Sequence, residues 1–292
     1  MHTLPARLAE QRFDLDWHAA RMTSLRRASA GAVALLAMIM FSLHVSQIDL
    51  ARLVAGIPKI TDFLSALTPP LRLSTLWTDM AEWYWGWAKW LQLLWTTLNM
   101  ALFGTAIGTL LGGLLSFVAS RNLGTPAPVV FTVRRILEIA RTVPDLVWAL
   151  VFLFAFGLGP LAGVLAIAIH TLGAQGKLFA EANENIDKHP IEGVRSCGGS
   201  WFDEIAIGVV PQVLPNYVSY ALWRFEINVR SATIIGFVGA GGIGMELYDS
   251  LSLNYYDDAG AILLIVLVTV MLIDLVSEWT RSRIAGTAAA KH

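Results

Sequence analysis

Residues 192–215 read EGVRSCGGSWFDEIAIGVVPQVLP, a polar and charged stretch set between runs too apolar for a soluble domain. Its order of residue types predicts a compact helix–turn–helix. Glu192 lies in a short first helix, Gly198 and Gly199 supply the turn, and Pro211 stands where an apolar helix begins. Glycine takes the positive φ of a tight turn without the clash that a Cβ would bring. A knob of this kind standing out of a membrane is a lever rather than a pocket.

The composition points to that membrane. Of 292 residues, 55% are hydrophobic and 15% charged, and eleven are tryptophan. Mean hydropathy is +0.59. Soluble domains carry about 25% charged residues, so the chain is expected to be an all-α integral membrane protein. A net charge of −1 leaves no basic footprint for nucleic acid. The single cysteine, Cys197, excludes an internal disulfide framework and a multi-cysteine zinc site, and reads as a small residue beside Gly198. No cleavable signal peptide is expected, because the first apolar run begins only near Ala28 and no small-residue cleavage site follows it.

Working outward, residues 1–27 are polar and arginine-bearing, and residues 28–48 are apolar enough for a first span. Arginines ahead of that span place the N-terminus in the cytoplasm. Residues 49–90 are amphipathic and mixed in charge, so they are expected outside, partly on the membrane surface. Trp77, Trp83, Tyr84, Trp85, Trp87 and Trp90 form an aromatic belt there; a cage for a quaternary ammonium ligand is the sharper alternative. Residues 91–281 form the expected core, with a cytoplasmic segment at 177–204, and 282–292 form a cytoplasmic tail.

Within the core, Gly104, Gly108 and Gly112 recur every four residues on one helical face, which suits close packing on another helix. Residues 129–141 read as an amphipathic helix that Pro144 interrupts before a short apolar run. Broken helices of this sort line polar cavities, because freed backbone groups cannot face lipid. His170 sits inside the next span, where it either bonds a neighbouring helix or faces a pathway. Arg224, Glu226 and Arg230 form a polar cluster, and the four-residue spacing lets Glu226 pair with Arg230 on one face. The last span covers residues 259–276. Six spans with both termini inside is the simplest count.

Residues 239–244, GAGGIG, fit the dinucleotide pattern G-x-G-x-x-G. That reading needs a preceding strand and a βαβ unit, and neither is predicted. Gly239, Gly241, Gly242 and Gly244 instead suit a close backbone crossing or a hinge facing the pathway. No nucleophile–base set, metal-ligand spacing or phosphate-cradling G-x-x-x-x-G-K is present, so no catalytic residue, metal or cofactor is expected. Any active transport must draw its energy from a partner or an ion gradient.

The 192–215 stretch resembles the Glu-Ala-Ala coupling motif of inner-membrane permeases of binding-protein-dependent ABC importers. Glu192 takes the first position, Gly198 the glycine, Val210 the leucine and Pro211 the proline. Gly193 and Val194 replace the two alanines, and Gly208 replaces an isoleucine, while the spacing is kept. TVPDLVWALVF, GLGPLAGVLAIAIHT and RFEINVRSATIIGFVGAGGIG further resemble the PhnE-type permeases of phosphonate importers, a group that importers of phosphite and hypophosphite also resemble. Residues 1–90 carry little of the likeness.

The resemblance implies a MetI-like permease acting as a dimer, served by two cytoplasmic ATP-binding subunits and a periplasmic solute-binding protein. It implies a coupling helix built from Glu192, Gly193, Val194, Arg195, Gly198, Gly199 and Ser200, with Pro211 stiffening the entry to the span. A small oxyanion needs a positive but weakly holding path. Arg230, Glu226, Arg224, Ser231 and Thr233 are the candidates for it, with Arg141 and His170 next. A secondary transporter driven by an ion gradient is the main rival; it predicts internal repeats and midplane carboxylates, and no repeat is visible.

Overall fold

A computed structural model of the chain describes residues 6–46, 49–69, 72 and 74–289, and among these every regular element is helical. Parts of the expected N-terminal segment (1–5), first span (47–48) and tail (290–292) lie outside the described residues. The chain divides after Phe63 into two compact units.

In the first unit, α1 (Ala6–Val45) runs through the polar N-terminal segment and the first apolar run as one helix of 40 residues. The two were expected as separate segments. No proline stands at their junction, and Ala, Arg and Leu on both sides favour continued helix. The portion Ala20–Val45 is long and apolar enough to cross a bilayer. α2 (Leu50–Ala66) begins at Asp49, whose carboxylate accepts the Ala51 N–H at 2.9 Å.

The second unit contains α3 (Leu76–Trp83), α4 (Trp87–Ala119), α5 (Ala127–Thr142), α6 (Asp145–Phe156), α7 (Pro160–Glu184), α8 (His189–Ser196), α9 (Trp201–Asp203), α10 (Val210–Ile235), α11 (Gly242–Ser252) and α12 (Tyr256–Ala289). It starts well before residue 91, the expected edge of the core. Trp83 and Trp90 are buried with Leu94, Ile243, Leu247 and Ile262, and the Trp83 indole N–H donates to the Asp257 carbonyl at 2.8 Å. These two rings are therefore a packed seam rather than part of a surface belt. A buried indole contributes a large apolar area provided its N–H finds an acceptor. Trp77, Trp85 and Trp87 remain exposed.

Among the described residues, five helical stretches are long and apolar enough to span, and α5 with α6 makes a sixth if the 88° bend between them lies within one broken span. Pro144 explains the bend, since the residue before a proline leaves the helical region and Val143 is extended at ψ 124°. The glycine stripe packs as its spacing predicts. A Cβ on Gly104 would lie 2.7 Å from the Ile167 side chain, one on Gly108 would lie 2.5 Å from the Ala168 carbonyl, and one on Gly112 would lie 2.9 Å from the Gly176 nitrogen. All three contacts are with α7. Met100, Ala101, Ala166, Ile167, Val229 and Ile235 then join α4, α7 and α10 in one core. Outward, α12 exposes Leu267, Met271, Leu272 and Leu275, a surface that only lipid or another apolar face can satisfy.

Candidate functional site

The expected knob is formed by α8, the Gly198–Gly199 turn and α9. Gly198 has φ +82°, and its N–H donates to the Arg195 carbonyl while that of Gly199 donates to the Val194 carbonyl, both at 3.0 Å. These are the two bonds of a Schellman C-cap. A Cβ on Gly199 would lie 2.5 Å from Val194 Cγ1, so the second glycine is required by space. Ser200 then starts α9 with a capping box closed by Asp203.

Three contacts fix the knob to the rest of the second unit. Ile191 is buried with Leu123, Ile205, Val209 and Val213, and Gly208 makes room for it, since a Cβ there would lie 3.1 Å from Ile191 Cγ1. Trp201 Nε1 donates to the Leu123 carbonyl at 2.8 Å. Arg195 grips Glu204 with two bonds of 2.8 Å, from Nε and from an η-nitrogen. The Glu204 side chain is only 8% exposed, so the pair ties the free end of α8 to the root of the following span. Residues Glu204–Val209 form a π-helical turn ahead of α10. Pro211 lacks the N–H that would close an α-turn there, which widens the backbone locally. At the start of α8, the Asp187 carboxylate hydrogen-bonds His189 at 2.6 Å and holds its imidazole above the ordinary value.

Where α10 ends, Gly236–Ala240 make a second π-helical turn, and Gly239, Gly241 and Gly242 all take positive φ. Helix, not strand, precedes GAGGIG, so the dinucleotide reading is excluded by the fold. The corner lets α11 cross α10 with almost no separation: a Cβ on Gly244 would lie 1.9 Å from the Thr233 carbonyl oxygen. Thr97 Oγ1 accepts the Ile243 N–H at 2.9 Å, pinning the corner to α4.

The charged candidates separate into two groups. Glu226 and Arg230 do not pair with each other. Glu226 is buried and bonds Arg281, and Arg230 bonds Asp274 at 2.9 and 3.0 Å. Both pairs bridge α10 to α12, because each side chain meets a partner on the facing helix before it can fold back along its own. Ser231 is half-buried on α10, and the Thr233 hydroxyl donates to the Val229 carbonyl at 3.2 Å.

Arg224 and His170 come together elsewhere, at the α5–α6 bend. Arg224 Nε donates to Thr171 Oγ1 at 3.4 Å. Asp145, at the start of α6, lies within electrostatic range of both Arg224 and His170. Beside them, Asn228 donates to the hydroxyls of Thr105 and Thr171 at 2.8 and 2.9 Å. His170 Nδ1 and Arg141 Nε are buried without a hydrogen-bond partner among the described residues. Glu204, Asp274, Arg281, Asp145 and Thr171 were not among the sequence candidates. Their partners stand far apart in the chain or off any helical period, so spacing gives no sign of them.

Helices long and apolar enough to cross a bilayer, packed on one another and bridged by ion pairs, define a multi-pass membrane protein. Residues 104–285 match the model of the family described as "binding-protein-dependent transport system inner membrane component", and the chain belongs to that family. It is therefore a multi-pass inner-membrane subunit of an importer in which ATP hydrolysis falls to a separate subunit. The chain is 39% identical to a phosphite transport system permease protein of Stutzerimonas stutzeri over 80% of its own length and 81% of that relative. A second permease of that organism, assigned to phosphite transport, is 36% identical over 90% of this chain and 89% of its own. Among solved structures, the inward-facing MetNI methionine ABC transporter is similar with TM-score 0.56 and 23% identity, over 67% of this chain and 95% of that one; at that identity the likeness is one of MetI-like fold.

Proposed function

We propose that this chain is the permease of an ATP-driven importer for a small phosphorus oxyanion: phosphonate, phosphite or hypophosphite. Two copies would form the pathway, with two ATP-binding subunits below and a periplasmic solute-binding protein above. The oxyanion class rests on the similarity to the phosphite permeases. The coupling role rests on one observation above all: a short helix bearing Glu192, Gly193, Val194 and Arg195, braced at both ends against the root of a span.

In this mechanism the knob docks in a groove of the ATP-binding subunit. Closure of the ATP-binding pair carries α8 inward, and the Arg195–Glu204 strut passes that motion to α10 with little slack. Docking must differ in free energy between the two states for ATP to shift the equilibrium. The glycine corner at Gly239, Gly241, Gly242 and Gly244 serves as the hinge of the gate. Arg230 with Asp274 and Glu226 with Arg281 keep α12 moving with α10. Arg224, His170 and Arg141, with the Ser231 and Thr233 hydroxyls, supply the polar side of the pathway.

The test is co-purification in detergent with the cognate ATP-binding subunit, for wild type and for Gly198→Pro combined with Glu192→Arg. Proline cannot adopt φ +82°, so the double variant removes the turn and reverses the charge of the docking face. ATPase activity travelling with the wild type and lost from the variant is expected. Equal capture of the subunit by both would exclude this coupling helix.

A further inference from the structure

Resting on the importer reading, we propose that the α5–α6 bend holds a transit site for a small tetrahedral oxyanion, with Arg224 as the contacting charge and Asp145 as its counter-charge. The argument begins with position. His170 and Thr171 lie about 15 Å along α7 from Pro160 at 1.5 Å per residue, which is near the midplane of a hydrocarbon layer roughly 30 Å thick. That depth is beyond lipid headgroups, so a phosphate group reaching the site arrives as a free solute.

Next comes the donor balance. A guanidinium offers five N–H donors. Among the described residues, Arg224 bonds only the Thr171 hydroxyl, at a long 3.4 Å. His170 adds a buried ring nitrogen with no hydrogen-bond partner. Asp145 lies close enough to act on Arg224 electrostatically but outside salt-bridge distance, and its carboxylate accepts the Leu146 N–H at 2.9 Å. Arg230, by contrast, is already gripped by Asp274. Ionised side chains at this depth face a partner or a watery path, and the break at Val143–Pro144 supplies the irregular backbone that lines such paths.

The ligand class follows. Oxygens on one phosphorus accept what the Arg224 fork has to offer, and a planar guanidinium matches two such oxygens at once. His170, whose ring also hydrogen-bonds the Val143 backbone, leaves Nδ1 to accept from the O–H of a singly protonated oxyanion. Asp145 repels the same anion, so binding stays weak enough for release. Asn228 holds one wall by donating to the hydroxyls of Thr105 and Thr171.

The test uses the complete importer in vesicles, with inorganic phosphite, methylphosphonate and inorganic phosphate as probes, and reads uptake against ATP hydrolysis. For whichever probe the wild type carries, Arg224→Gln is expected to lower uptake by at least ~10-fold while ATP hydrolysis stimulated by the loaded binding protein persists. Arg224→Lys, which keeps the charge and loses the fork, is expected to fall between. Uptake by Arg224→Gln close to that of wild type would overturn the site. If Arg224→Gln does not assemble, His170→Gln and Asp145→Asn probe the same place: the first is expected to slow uptake, the second to slow release so that radiolabelled probe stays with the permease through gel filtration. Wild-type behaviour in both overturns the site. Wild-type vesicles that carry none of the three probes overturn the oxyanion reading itself, and this inference with it.

Discussion

Gly244 has no space for even a methyl group, since a Cβ would sit 1.9 Å from the carbonyl oxygen of Thr233. Backbone, not a flexible side chain, is what it meets, so α10 and α11 must part to admit it. Gly244→Ala is expected to destabilise the fold by about 2–3 kcal/mol, as overpacking does, and to lower Tm measured in detergent. An unchanged Tm would mean that the corner is looser than its geometry. Glycines were unequally legible in the sequence. The stripe at Gly104, Gly108 and Gly112 announced its role, because a four-residue period has one meaning on a helix. GAGGIG did not, because the same letters serve a phosphate turn and a helix corner, and only the preceding element separates them.

Among the elements, α8 is the one whose attachment matters most. The hydrophobic contact of Ile191 over Gly208 fixes where the helix lies, and Arg195–Glu204 fixes its free end. Arg195 is 58% exposed, so water screens the pair and breaking it should cost the fold little stability. Arg195→Ala is therefore expected to leave the importer assembled and hydrolysing ATP while lowering oxyanion uptake per ATP. Fully coupled uptake by this variant would show that the strut transmits nothing. Between α10 and α12, Arg230→Asp should loosen the bridge and Arg230→Asp with Asp274→Arg should restore it, read as recovery of Tm. The sequence exposed these charges but mispaired them. A four-residue spacing favours Glu226 with Arg230 by only about 0.2–0.5 kcal/mol, which is easily outweighed by a two-pronged grip from the neighbouring helix. Turn chemistry fared better: Gly198, Gly199 and Ser200 are local signals, and the C-cap and capping box follow from them directly.

At the scale of the whole molecule, the span pattern was readable because hydropathy is a local sum, including the break at Pro144. The depth to which residues 76–90 pack was not, because Trp83 meets its acceptor at Asp257, a partner no sequence window contains. The assembly adds a constraint that neither level carries alone. A single copy leaves α12 studded with exposed Leu and Met, and under the proposed coupling, docking of the ATP-binding subunit would change solvent access at α8. Nature has left one probe there. Cys197 is the protein's single cysteine, it is exposed, and it caps the C-terminus of α8. No engineered thiol and no cysteine-free background are needed on this chain. Maleimide labelling of the detergent-solubilised permease is expected to be fast, and to slow when the ATP-binding subunit is added with its own thiols blocked beforehand. Protection should disappear in the Gly198→Pro, Glu192→Arg variant, which cannot present the knob. Labelling at one rate with and without the subunit, in a complex that demonstrably forms, would place the docking surface somewhere other than α8.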